Sequence, residues 1–212
     1  MIARDSYRFI LPLASAALLL TLGVVIWPLW VLRLLLWLDL AGLAFVIWFF
    51  RDPARRVPPG ANLLVAPADG RVIAIRALRD PFVGAAQQIS IFMNLFSVHV
   101  NRMVADGVVE TIQHQPGRFL TAFQHNALTQ NEQTRLELRE GDRCFALIQI
   151  AGLIARRIVC SVQVGEHLAR GQRFGLIRFG SRVEVIVPAA VSLRVKVGDR
   201  VRAGETIIGE LR

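Results

Sequence analysis

Two stretches in the C-terminal third, VGEHLARGQRFGLI (residues 164–177) and VGDRVRAGETIIGE (residues 197–210), repeat one pattern thirty-three residues apart. Each opens on a Val-Gly-acid turn, carries a second glycine six residues after the first, and runs into an apolar strand. Paired glycines of this kind mark turns that need backbone freedom. Together with VAPADGRV (65–72) they resemble the half-motifs of a barrel-sandwich hybrid. The surrounding runs RVIAI, QISIFM, GVVETI, CFALIQI, RRIVCSVQV, RVEVIV and SLRVKV are short and β-branched, several alternate apolar with polar residues, and glycines separate them. They read as strands. From residue 61 onward the chain is therefore expected to be a compact mainly-β (α+β) domain. Only PGRFLTAFQHNALTQNEQTR (116–135) lacks the pattern, and it reads as a long loop with a helical turn. Carriers built on this architecture present a modifiable lysine at a hairpin tip. The one lysine here, Lys196, lies inside a strand-like run, so the carrier reading fails.

The first fifty residues differ. Residues 9–27 (FILPLASAALLLTLGVVIW) contain no charge over nineteen positions, enough for a helix to cross about 30 Å of hydrocarbon. After the break at Trp27-Pro28-Leu29-Trp30, a second apolar stretch runs from 34 to 50 and contains Asp39. Its leucines, isoleucine, valine and phenylalanines, at roughly −0.3 to −0.6 kcal/mol each, outweigh one aspartate at roughly +2.5 to +3.5 kcal/mol. Tryptophans 27, 30, 37 and 48 lie mostly near segment ends, where indole suits the headgroup layer. Arg4 and Arg8 precede the first segment and Arg51, Arg55 and Arg56 follow the second, so the positive-inside rule puts both outer ends in the cytoplasm. The expectation is a helical hairpin (1–50), spanning or lying in the interface of the cytoplasmic membrane, a basic proline-rich linker (51–60, RDPARRVPPG), and a β domain (61–212) on the cytoplasmic side. A cleaved signal peptide is rejected, because too few apolar residues precede Ala14-Ser15-Ala16.

Net charge is +9, and nearly all the positive charge is arginine. Beside a hydrophobic N-terminus this favours an anionic lipid surface over nucleic acid, the arginines being scattered among apolar strands. Cys144 and Cys160 sit in apolar runs without metal-ligand spacing and read as inert packing residues. No metal is expected. A membrane-anchored adaptor with a barrel-sandwich domain and no catalytic activity is the rival architecture, but it would interrupt the half-motifs with heptads, and none occur.

Four segments, FFRDPARRVP (49–58), VAPADGRV (65–72), FMNLFSVHVNR (92–102) and GQRFGLIRFGSRVEV (171–185), occur in order. With them the chain resembles the short bacterial and archaeal type of phosphatidylserine decarboxylase proenzyme, over essentially its whole length. The resemblance implies self-cleavage between Gly180 and Ser181 into a β chain (1–180) and an α chain (181–212), held together as a heterodimer that can associate further. It implies that Ser181 becomes a pyruvoyl group forming a Schiff base with the amine of phosphatidylserine. Such a built-in carbonyl replaces pyridoxal phosphate as electron sink, in accord with the absence of a suitably placed lysine. Glycine before the serine leaves the attacked carbonyl unobstructed.

His99 matches the family histidine associated with decarboxylation, and a histidine's ordinary pKa, about 6.5, suits proton transfer. Asp69 matches an aspartate used in self-cleavage. The long bacterial form has a second histidine three residues after the first, where this chain has Arg102, so either His99 serves both steps or another group is the base for Ser181. Arg102, Arg156 and Arg157 are candidates for the lipid phosphate, Phe96 and Phe123 for the headgroup site, and Asn131 and Glu132, which complete the resemblance, are further candidates for substrate binding. His114, His125 and His167 read as surface residues.

Overall fold

The structure is a computed structural model and is described for residues 2–118, 130–152, 157–178 and 181–211. It divides into two compact units, Met1–Ala54 and Arg55–Arg212.

In the first unit a 3-10 turn (Arg4–Ser6) leads into α1 (Tyr7–Ile26), followed by α2 (Trp30–Phe49). Both helices are long and apolar enough to cross a membrane, with mean hydropathies of 2.5 and 2.0. α1 stops at Ile26 because Trp27, the residue before Pro28, is held extended. α2 begins at Trp30, four residues before the apolar stretch that starts at 34, since Arg33 is compatible with a first helical turn even though it interrupts the apolar run. The hairpin is closed at both ends. Leu32 Cδ1 lies 3.6 Å from where a β-carbon on Gly23 would stand, while Phe9 stacks on Phe50 at 5.6 Å and the Ala3 amide donates to the Phe50 carbonyl at 2.9 Å.

In the second unit the strands are β1 (Leu63–Val65), β2 (Gly70–Asp80), β3 (Gly84–Met93), β4 (Val100–Arg102), β5 (Gly107–Gln115), β6 (Gln133–Glu140), β7 (Arg143–Ile150), β8 (Ile158–Cys160), β9 (His167–Leu168), β10 (Arg173–Ile177), β11 (Ser181–Pro188), β12 (Ser192–Leu193), β13 (Arg200–Val201) and β14 (Ile207–Glu210). An eight-stranded antiparallel sheet in the order β13-β2-β3-β11-β7-β6-β5-β9 curls into a half-barrel, and two three-stranded sheets, β1-β14-β12 and β4-β10-β8, accompany it. The domain is mainly β, as the alternating runs predict. The curl is required by one contact. Arg135 on β6 bonds Asp80 on β2 at 2.8 Å, although four strand spacings in a flat sheet would separate them by about 19 Å. Asp80 also accepts the Phe82 and Val83 amides at 2.9 and 3.0 Å. Burial pushes its carboxyl up, but Arg135 and these amides outweigh burial and hold it below the ordinary carboxylate range.

The repeat that opens the sequence reading is structural. Gly165 and Gly198 have φ of 85° and 100°, Gly171 and Gly204 of 76° and 74°, so all four occupy the left-handed region at matching positions. Their amides pair off as well: Gly165 donates to Val109 and Gly198 to Val72, Gly171 to Met103 and Gly204 to Ala66, each at 2.8 Å. These acceptors expose a second duplication, the Ala-Asp-Gly turns at 68–70 and 105–107. Asp69 accepts the Ala203 amide at 2.8 Å, and Asp106 accepts the Arg170 amide at 2.9 Å.

The core of this unit is one cluster that includes Ile89, Ile91, Met93, Leu138, Phe145, Leu147, Phe174, Val183, Val185 and Val187. β11 lies at its centre, pairing with β3 on one side and β7 on the other.

Candidate active site

Ser181 is the first residue of β11, directly opposite Met93 on β3. The β7 register, with Arg182 opposite Ile150, carries Ser181 beside Ala151 at the next step. Alternation sends Ser181, Val183, Val185 and Val187 to the core face. Ser181 is fully buried, and its hydroxyl has no hydrogen-bond partner among the described residues. A buried hydroxyl normally finds a partner, so this one is unusual: among the described residues no group competes for its lone pairs or its proton.

On the opposite face of β11 the same end of the strand carries a buried charged group. Arg182 Nη2 donates to Ser90 Oγ at 2.7 Å, Ser90 Oγ donates to Glu184 Oε2 at 2.6 Å, and Arg182 is ion-paired with Glu184. Burial pushes the Glu184 carboxyl up despite Arg182 and Ser90. This cluster ties β11 to β3 immediately beside Ser181.

The second wall comes from β4. β10 pairs with it, and the pairing continues to His99, whose carbonyl accepts the Ile177 amide at 3.3 Å. His99 is 3% exposed. Asn101, two residues on and therefore on the same side, donates from Nδ2 to Met93 Sδ at 3.8 Å, the methionine that faces Ser181. Gln149 on β7 donates from Nε2 to Asn101 Oδ1 at 2.8 Å. Gly175 on β10 makes room for that amide, because a β-carbon there would meet Val159 O at 2.2 Å and Gln149 Nε2 at 3.1 Å.

Asp69 stands at the start of β2, whose neighbour β3 pairs in turn with β11, so its backbone is about 10 Å, two strand spacings, from that of Ser181. Its two oxygens receive Arg55 Nη2 at 2.9 and 2.8 Å, and Arg55 also reaches Glu205 at 3.4 Å. The Arg56 amide on Glu205 holds the Glu205 carboxyl below its ordinary range, aided by Arg55. Arg102 turns to the other side of β4 from Asn101: its Nη1 donates to the Gly171 carbonyl at 3.0 Å, its amide to Pro67 at 2.8 Å, and its stem packs over Gly204.

Among the remaining residues singled out in the sequence, Asn131 is buried and donates from Nδ2 to the carbonyl of Ala151, the neighbour of Ser181, at 2.7 Å, while Glu132 is 3.7 Å from His114. Phe96 is 69% exposed, in the turn between β3 and β4 where its amide meets Asn94 Oδ1. Arg157 contributes its carbonyl to the Arg178 amide at 3.3 Å. Gly180, Arg156, Phe123 and His125 lie outside the described residues, as does the middle of the 116–135 segment. Cys160 is a partly buried thiol whose pKa burial pushes up, in keeping with a packing role.

All four motifs are thus linked around one strand end: Arg55 on Asp69, Pro67 on Arg102, Asn101 on Met93, which pairs with Ser181, and β10 against β4. The sequence reading did not single out Arg55, Asn101, Gln149, or the Ser90, Arg182 and Glu184 cluster. Arg55 and Asn101 lay inside quoted motifs. Gln149 sat in a strand as an ordinary alternating polar residue.

The phosphatidylserine decarboxylase family matches residues 43–209. Relatives bearing the name phosphatidylserine decarboxylase proenzyme include one from Ralstonia nicotianae, 47% identical over 87% of this chain and 82% of its own length. One from Burkholderia mallei is 44% identical over 100% of this chain and 95% of its own length. Another, from Cupriavidus pinatubonensis, is 41% identical over the same shares.

Proposed function

The chain belongs to the phosphatidylserine decarboxylase family, and on that premise we propose that it cuts itself before Ser181 and uses the resulting pyruvoyl group to decarboxylate phosphatidylserine to phosphatidylethanolamine. Ser181 Oγ adds to the carbonyl carbon of residue 180, and the amide nitrogen leaves with a proton, so the peptide becomes an ester. Loss of the Ser181 α-proton breaks the Cβ–Oγ bond. Residue 180 departs as a carboxylate and a dehydroalanyl amine remains, which tautomerises and exchanges its nitrogen for water oxygen, releasing ammonia.

The observation that carries this reading is the Ser181 hydroxyl, buried, without a hydrogen-bond partner among the described residues, at the convergence of all four motifs. The surroundings suit the product too, since the β-carbon of residue 181 becomes a methyl group on a strand flanked by Met93 and Ala151. The pyruvoyl group supplies a carbonyl that takes the substrate amine as a Schiff base and accepts the electrons left when carbon dioxide departs. His99 holds or delivers the proton at the substrate α-carbon. Asp69 acts through charge, since its carboxylate is already engaged by Arg55 and the Ala203 amide. The apolar hairpin anchors the chain in the cytoplasmic membrane with the catalytic domain on the cytoplasmic side, its arginines facing anionic lipid.

Intact mass of purified protein tests the reading. Two fragments are expected, residues 1–180 and residues 181–212 with a blocked N-terminus, against a single chain for Ser181→Ala. A wild-type protein that stays in one piece while releasing carbon dioxide from phosphatidylserine refutes it.

A further inference from the structure

Two buried amides meet beside Met93, the residue paired with Ser181, and neither is fully used among the described residues. Asn101 is 0% exposed and Gln149 1%. A thioether sulfur is a weak acceptor, so the Asn101 Nδ2 contact to Met93 Sδ at 3.8 Å uses little of that donor. Gln149 Nε2 is committed to Asn101 Oδ1 at 2.8 Å, while Gln149 Oε1 has no partner among the described residues. Leaving buried amide capacity unmet is destabilising, and leucine or methionine would fill the same volume without that penalty. The arrangement is also directional. With its oxygen occupied by Gln149, Asn101 turns its NH2 toward Met93, and Met93 is the residue paired with Ser181.

We propose that Asn101 is the hydrogen-bond donor to Oγ of residue 181 during self-cleavage, and that Gln149 is the positioning residue that keeps its NH2 turned that way. The idea rests on the self-cleavage reading and specifies which step the donor serves. In the ester, Oγ is a neutral bridging oxygen. When the α-proton of residue 181 is removed, the Cβ–Oγ bond breaks and its electron pair leaves on Oγ, which becomes part of the residue 180 carboxylate. Negative charge therefore develops on Oγ at a fully buried position, where a fixed neutral donor is most effective. Addition of the hydroxyl to the carbonyl needs no such donor at Oγ, because charge then builds on the carbonyl oxygen.

Removing one donor of this kind slows the step it serves by about 10²- to 10³-fold. The experiment follows fresh full-length protein in detergent by intact mass, with and without hydroxylamine, which cleaves esters and spares amides, and records thermal unfolding in parallel. Asn101→Leu is expected to stay folded, with a lowered unfolding midpoint because Gln149 Nε2 loses its acceptor, yet to accumulate a full-length species that hydroxylamine splits into a fragment ending at 180 and one beginning with an unblocked Ser181. Gln149→Met is expected to accumulate the same ester to a smaller extent, with Asn101→Asp, which keeps the acceptor and loses the donor, resembling Asn101→Leu. Folded Asn101 variants that mature at the wild-type rate, or that stall with no hydroxylamine-sensitive ester, overturn the proposal while wild-type cleavage leaves the parent reading intact. A wild type that never cleaves removes the parent reading itself.

Discussion

Consider the peptide bond before Ser181 being cut, and what then holds residues 181–212 in place. β11 keeps eight register pairs with β3 and five with β7, so the new chain end lies in the middle of the sheet. β13 pairs with β2, while β14 pairs with β1. Val183, Val185, Ile186, Val187, Val201 and Ile208 are all at most 3% exposed. At about 1.5–3 kcal/mol for each such side chain, these six contribute roughly 9–18 kcal/mol. The upper figure leaves the ~8 kcal/mol that corresponds to micromolar affinity after about 10 kcal/mol for lost translational, rotational and conformational freedom. Polar links across the cut add to it, from the Ala203 amide to Asp69 at 2.8 Å and from Arg55 to Glu205 at 3.4 Å. Both fragments are therefore expected to co-elute from size exclusion at micromolar concentration and to separate only in denaturant. A fragment 181–212 that elutes alone under native conditions, or exchanges within minutes with an isotopically labelled copy, would refute the reasoning.

Two further outcomes concern charge. Asp80→Asn is expected to lower stability by about 3 kcal/mol at neutral pH, as for a largely buried pair losing one partner, read as a drop in unfolding midpoint. Because the Asp80 carboxyl is held below its ordinary range, its contribution is present above that range and disappears as pH falls through the lowered value; Asp80→Asn should therefore lose less stability than wild type over that acid interval. Glu184 has the opposite sign. Burial raises its pKa, so its contribution is full below the ordinary carboxylate range and is lost as pH rises through the raised value. The midpoint of wild type relative to Glu184→Gln should thus decline as pH rises from the ordinary range, and a difference that stays flat would contradict that assignment.

The sequence carried the apolar hairpin, the strand-rich domain and the four motifs because each is written in local pattern: an uncharged run, alternation, glycine at a turn. Pairings between distant elements were not legible. Nothing around Arg55 says that its guanidinium grips Asp69 fourteen residues away, and nothing in CFALIQI says that Gln149 bonds an asparagine forty-eight residues upstream. Ser90, Arg182 and Glu184 are brought together only by the β3 to β11 register, which pairs Ser90 with Glu184. The second Ala-Asp-Gly turn was visible in principle, yet only the partner glycines at 171 and 204, with their matching amide bonds, identify it as a repeat.

That duplication separates scaffold from chemistry. Asp69 and Asp106 occupy the same turn and accept the same kind of amide, from Ala203 and Arg170, at 2.8 and 2.9 Å. Whatever those bonds provide is needed in both halves of the fold, and it is the ordinary work of an aspartate that caps a turn. The two halves differ in what else reaches the carboxylate. On Asp69 it is Arg55, from the segment that follows the apolar hairpin. In the other half an arginine is again used, but it is Arg170, which straps the same segment by donating to the carbonyls of Pro58 and Leu63 at 2.9 and 2.6 Å. Both halves therefore spend an arginine on residues 55–63, and only one of these arginines neutralises an aspartate. A role peculiar to Asp69 must come through that charge pairing and through its place two strands from Ser181, because the turn itself is shared with a residue that has neither.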